Sequence, residues 1–429
     1  MRFTRWASAL AMIGTLALSA CGSGGGGNDG NTNVRLLNAS VGYSSLDLKV
    51  NDTKVNTGIG FGTVASYASI STGSNTSELL IGGTSTLLST PALSNLIKDG
   101  NYTLIAFGNT GSMATRLLNE SETEPASGST KLLTLNLASD SGNVDVYVTA
   151  PGASLADATP TASTLIPGNG DAYRTLTAGT YQIRVTAAGS KTDLRLDIPS
   201  VTLDSTKVNT LVLTSATGGV MVNGLLLGQK GTVTKYENGL AKVRVISALP
   251  RSTAVTATLN GVASLTNAGS PAVSPNYADI TVTNGVKVDW SVTTGSTTVA
   301  QPSKQIALDR STVYGLLIWG DAAAPTLTPI KEDNALPSAL NTAKVRILNG
   351  VAGLGNVALY VNASPVISSV APGTLSDSYQ ANTTSEIQFD VRAGAPTVFT
   401  IKKTLTSGKV YTILLSGTPG AIQGDVIEP

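Results

Sequence analysis

Catalysis needs nucleophiles, bases or metal ligands at close quarters, and this 429-residue chain is poor in all three. It has no histidine. That removes Ser-His-Asp and Cys-His hydrolases, histidine-bound zinc and haem, and most general-base chemistry near neutral pH. Carboxylates remain. Asp279 with Asp289, and Asp377 with Glu386, are the pairs that could serve glycoside hydrolysis, which needs two carboxyls about 5–10 Å apart. Acidic side chains on exposed strand faces explain the same positions more simply. Gly168-Asn169-Gly170-Asp171 and Asn28-Asp29-Gly30-Asn31 carry calcium-compatible oxygens, but without the acidic spacing of a calcium loop. They read as turn and tether. Trp290 and Trp319 could stack on sugars. However, Val288, Trp290 and Val292 share a strand face, and Gly315 to Trp319 is apolar on both faces, which is core patterning. Arg35, Arg244 and Arg346 recur at equivalent places and could form a repeated anion site. The preferred reading is an exposed strand arginine snorkelling across its sheet. No catalytic, cofactor-binding or metal-binding residue is assigned, and no cofactor is expected.

The single cysteine, Cys21, has a different chemistry. It ends Leu18-Ser19-Ala20-Cys21, after Arg2, Arg5 and the apolar run Trp6 to Leu18. That run is too short for a bilayer core, which needs roughly 20 residues, and it follows the pattern of a signal peptide. Leu-Ser-Ala-Cys resembles the lipobox of bacterial lipoproteins. The resemblance implies cleavage after residue 20 and a diacylglycerol on the Cys21 thiol. Each buried methylene contributes about 0.8 kcal/mol, so two or three acyl chains hold a protein stably. Gly22 stands where an aspartate often retains Gram-negative lipoproteins at the inner membrane, so the expected address is the outer membrane. Residues 21–33 form a Gly/Ser/Asn tether reaching about 20 Å as a random coil.

Without residues 1–20, Lys plus Arg falls from 28 to 26 against 27 Asp plus Glu, a net charge of −1. Nothing steers such a chain to nucleic acid. The membrane, through lipid on Cys21, and a protein or glycan of the envelope are the expected partners.

Internal repetition organises the rest. Val34-Arg35-Leu36-Leu37-Asn38-Ala39 recurs as Val243-Arg244-Val245-Ile246-Ser247-Ala248 and Val345-Arg346-Ile347-Leu348-Asn349-Gly350. A weaker copy starts at Leu132. In each, a second alternating strand ends at Val50, Val148, Leu259 or Val361. A tyrosine follows in Tyr67, Tyr277 and Tyr379, displaced to Tyr173 in unit two. A late apolar strand closes each unit: Tyr102–Phe107, Val208–Leu213, Val313–Trp319 and Val410–Leu415. Period-two patterning with β-branched residues reads as strands with one buried face. The spacing predicts an all-β chain of four tandem, immunoglobulin-like, antiparallel β-sandwich domains. They follow the signal peptide (1–20) and tether (21–33) at 34–130, 131–241, 242–342 and 343–429. Polar linkers are expected at Glu120 to Thr130, Lys230 to Leu240 and Lys331 to Thr342.

The Val-Arg opening, Asp145-Val146-Tyr147-Val148, Leu359-Tyr360-Val361-Asn362 and the Lys331-Glu332-Asp333-Asn334 run resemble a bacterial exported family, the domain of unknown function 4397. It is often found as tandem copies in lipoproteins. The resemblance covers nearly all of residues 34–429 and implies tandem β-sandwiches, with no activity to carry over. The family commonly has a histidine in the first strand, where this chain has Asn38, Ser247 and Asn349. The expected role is therefore a non-catalytic, membrane-anchored envelope lipoprotein with a structural, adhesive or partner-binding task. A glycan- or ligand-binding lipoprotein and a carboxylate-dependent hydrolase are the alternatives.

Overall fold

The computed structural model describes residues 30–283, 287–295, 297–298, 304–337, 339 and 341–428. The expected signal peptide, Cys21 and the tether up to Asp29 lie outside the described residues. Every described element is a β-strand. The first begins at Asn31, so the last tether residues already pair with the sheet, and Thr32 is buried.

Four units repeat one plan, each with two sheets. Unit one opens with Asn31–Asn38, which lies beside the closing strand Asn101–Asn109 and is followed across the sheet by the last strand Ser112–Asn119. The facing sheet holds Ser45–Val50 and Ser77–Ile81. The corresponding opening strands are Ser129–Asn136, Leu240–Ser247 and Thr342–Asn349. Their closing strands are Val208–Ser215, Thr312–Gly320 and Val410–Thr418. In all four units the opening and closing strands run parallel, with Val34 opposite Tyr102 and Val345 opposite Tyr411. The antiparallel expectation holds for the other pairings and gives way here, because two strands so far apart in sequence come together through a long connection rather than a hairpin.

Alternation in the second strands sends Leu46, Leu48 and Val50 into the core of unit one and Val357 and Leu359 into that of unit four. Each unit has its own apolar core. Units one, three and four also share a tyrosine corner. Tyr102, Tyr314 and Tyr411 each accept, at the hydroxyl, the amide five residues upstream, at 3.0, 3.1 and 3.0 Å. Unit two has Asn209 there, bonded to Thr130.

The positions where the family resemblance expects histidine are buried brackets. The Asn38 amide donates to the carbonyls of Tyr43 and Ile59, and its oxygen accepts from Ser40 N–H. Asn136 and Asn349 repeat this three-way bond. In unit three Ser247 instead bonds Ser270, which donates to the Leu249 carbonyl.

The opening and closing strands are buried on both faces. The second face belongs to the neighbouring unit. Leu37, Ile105 and Phe107 of unit one pack against Leu133, Leu135, Val212 and Leu225 of unit two. Ile246, Leu317 and Ile330 of unit three meet Leu348 and Leu414 of unit four. The chain is thus two blocks, one–two and three–four, each made by sheet-on-sheet contact. A smaller cluster with Met221, Leu240 and Val313 joins them.

The expected linkers are partly exposed, but each is pinned by buried residues. Val233–Tyr236 pairs with the strand Val222–Gly228, and Asn238 is buried, holding Val222 O, Arg195 O and Leu240 N–H. Glu120 and Glu332 are also buried.

Candidate functional site

Charge concentrates where the sheets of each block meet. Arg35, Arg244 and Arg346 are at most 4% exposed, so they are not the snorkelling surface arginines expected from the sequence. Nor do they form an anion site, because the chain supplies their counter-charge. On a strand buried on both faces the side chain at the arginine position has no route to water. It is held by ion pairs and carbonyls instead.

Between units one and two, Arg35 Nη2 lies 2.8 Å from Glu120 Oε1. Its Nε donates to Thr103 Oγ1 at 2.9 Å and its Nη1 to the Gly231 carbonyl at 2.6 Å. Tyr67 stacks on the guanidinium at 4.5 Å and donates its hydroxyl to the other Glu120 oxygen. The Lys230 amide also donates to Glu120, at 3.3 Å. Unit two places Leu133 where the other units have arginine, and Leu133 packs in the shared apolar cluster.

Between units three and four, one carboxylate serves two guanidiniums. Arg244 grips Glu332 through Nε at 3.1 Å and Nη2 at 2.8 Å, and donates Nη1 to the Glu428 carbonyl. Arg346 reaches Glu332 at 3.0 Å, Asn334 Oδ1 at 2.8 Å, the Asp333 carbonyl at 2.7 Å and Thr412 Oγ1 at 2.9 Å. Tyr277 stacks on Arg244 and donates to Glu332 at 3.1 Å. The bidentate grip depends on Gly315, which stands opposite Arg244 on the closing strand. A Cβ at Gly315 would overlap the Glu332 carboxylate. The equivalent position in unit one is Thr103, whose hydroxyl takes the arginine Nε for itself.

Electrostatics separate the two hubs. Burial pushes the Glu120 carboxyl above its ordinary range, against the pull of Arg35. Burial also acts to raise Glu332, but Arg244 and Arg346 together outweigh it and hold the group below that range. This is ion-pair and hydrogen-bond chemistry that fixes register between sheets.

The other sequence candidates fall elsewhere. Asp279 pairs with Lys242 at 3.0 Å on one sheet of unit three, while Asp289 lies exposed on the other sheet and accepts Gln305 at 3.1 Å. Asp377 and Glu386 are both exposed. Asn169–Gly170 is a two-residue strand against the opening strand of unit two, and Asp171 pairs with Arg174. Trp290 is in the core of unit three. Trp319 is at the three–four contact, donating to Thr328 and pressed against Gly373 of unit four. Of the repeated tyrosines, Tyr67 and Tyr277 stack on the hub arginines, whereas Tyr379 packs against the core of unit four. Asp145 of the second-strand motif is buried and accepts the Thr164 and Gly189 amides. Among the described residues no group of three or more acidic, cysteine or histidine side chains could hold a metal ion.

The glutamates were the residues that repetition of the opening strand did not reveal. Their signal was present: each follows, or ends, the last strand of the first unit in its block, inside a polar stretch that resembles a linker.

A protein of tandem β-sandwiches joined by buried ionic hubs is what this geometry defines. Residues 32–147 and 343–429 match the domain of unknown function DUF4397, and the chain carries tandem copies of that domain. The first match runs through unit one into the second strand of unit two, crossing the one–two contact. No curated protein matches the chain. Among solved structures, the Bacillus anthracis TIE protein aligns at 9% identity over 90% of this chain and 68% of its own, with a TM-score of 0.13.

Proposed function

We propose that the protein is a non-catalytic lipoprotein of the bacterial cell envelope, anchored through acyl chains on Cys21 at the outer membrane. It projects two stiff two-domain blocks beyond a short tether. The observation that carries this reading is the use of its most reactive-looking residues, the repeated arginines and their glutamates, in holding sheets together. A display or spacer role needs stiffness and exposed loops at the sandwich ends, which suit partner binding. Cys21→Ala should abolish lipid modification by mass spectrometry and move the protein out of the detergent-extracted membrane fraction. Unchanged mass and fractionation would sink the anchor. Turnover of a glycan or ester, abolished by Asp279→Asn, Asp289→Asn, Asp377→Asn or Glu386→Gln in a folded protein, would sink the non-catalytic part.

A further inference from the structure

The seam between the two blocks contains a carboxylate with no cation. Asp140 of unit two is 5% exposed. Its Oδ1 accepts the Ser215 hydroxyl and its Oδ2 accepts Asn109 of unit one at 3.4 Å. No Lys or Arg among the described residues lies within ion-pair reach of it.

The groups around it make the position costly for a charge. On the connector into unit four, the charged group that acts on it is Asp333, whose own partner is Lys344 at 3.5 Å. On unit two, Arg195 is committed to Asp193 at 2.8 Å and to the Ser141 carbonyl. Asp193 is further shared with Lys242 of unit three. From unit one only the neutral Asn109 reaches the site. Burial, and to a smaller extent Asp333, disfavour the ionised form, and three neutral hydrogen bonds, from Ser215, Asn109 and the residue's own backbone amide, are the offset.

The same loop is mechanically part of the seam. The Asp140 carbonyl accepts the Leu336 amide at 3.4 Å, and Asn334 N–H donates to the Gly218 carbonyl at 2.8 Å. The Leu336 side chain lies against Gly142. The turn at Gly218-Gly219-Val220 has positive φ throughout, and a Cβ at Gly219 would overlap the Ala335 backbone. Val220, β-branched at φ 52°, holds a conformation that such residues rarely adopt. Asn334 also donates to Tyr277 and accepts from Arg346, so the seam and the three–four hub share a residue.

We propose that Asp140 is a proton-operated latch on the seam between the blocks, which holds the connector more firmly when the carboxyl is uncharged. The chain would be stiffest in mild acid and loosen between its blocks toward neutral pH. The sign follows from the neighbours. The charged form is penalised in the closed seam and relieved when it opens to water, so opening releases a proton and acid opposes it.

Hydrogen exchange at the Asn334 and Leu336 amides, corrected for intrinsic pH dependence, reads the seam in the protein from Gly22 onward. Asp140→Asn keeps the shape and removes the charge. Near neutral pH it should slow exchange at both amides on the order of fivefold, the scale of a buried polar group relieved of a mismatch. The difference should vanish toward pH 4. In the unaltered protein, protection of the same two amides should rise as pH falls from neutrality toward the ordinary aspartate range. Faster exchange in Asp140→Asn, a difference that does not change with pH, or flat protection in the unaltered protein would each overturn the latch.

Discussion

The two block contacts solve one problem with different amounts of charge. In block three–four, Glu332 lies between Arg244 and Arg346, with Gly315 clearing space for a bidentate grip. In block one–two, Glu120 meets Arg35 alone, Thr103 diverts the Nε, and Leu133 fills the second arginine's place with apolar surface. The pairing of sheets is therefore not set by the ions. Both blocks form around Leu, Ile and Val, each fully buried side chain contributing about 2 kcal/mol, and the hubs tolerate exchange of a guanidinium for a leucine. Buried ion pairs are often close to neutral against a hydrophobic replacement, whereas breaking one is expensive. What they add here is a fixed register between two sheets that would otherwise slide on apolar contact.

The largest effect should come from removing the shared anion. Glu332→Ala strands two buried guanidiniums and should destabilise block three–four by about 3–5 kcal/mol. Glu120→Ala strands one and should cost less. Urea midpoints of the two variants, read by exchange in Val410–Thr418 and in Asn101–Asn109, check the ranking, and an equal or reversed order would mean that the second guanidinium adds nothing to the cost.

Arg346→Leu converts the second hub to the composition of the first. It leaves the Asn334 oxygen and the Asp333 carbonyl without a donor, for a cost of about 2 kcal/mol. It should also raise the Glu332 carboxyl, as burial is then opposed by Arg244 alone. Carbonyl chemical shifts across an acid titration would follow this directly.

The two blocks should respond differently to acid. Glu332 sits low in the fold, so it stabilises block three–four above the ordinary glutamate range, and that contribution is lost as pH falls through its depressed folded value. Glu120 sits high, so its charge is a burden at neutral pH that fades as pH falls from its raised folded value into the ordinary range. Between pH 6 and 3, protection should fall first in Val410–Thr418 and hold longer in Asn101–Asn109. Simultaneous loss would mean the hubs titrate alike.

The smallest effect is expected at Asp289, Asp377 and Glu386. Neutral substitution there should leave the unfolding midpoints of both blocks unchanged, since exposed positions away from caps and cores rarely matter. A marked shift in either block would mean these carboxylates take part in its sheet-on-sheet contact.

Strand positions, the repeat and the all-β architecture were legible in the residues because side-chain alternation is a local consequence of the extended backbone. Leu46, Leu48 and Val50 announce their strand whatever surrounds it. The double-sided apolar run Gly315 to Trp319 even carried the mark of a second buried face. Which surface would cover that face was not readable, nor that Arg244 would find Glu332 across 88 residues of chain. The parallel pairing of opening and closing strands and the burial of Glu120, Asn238 and Glu332 within the apparent linkers belong to the same class. Each is a contact between segments far apart in sequence, where many partners satisfy the same pattern of polarity. Only the packed tertiary structure selects one, by excluding water from a guanidinium and leaving a single carboxylate within reach.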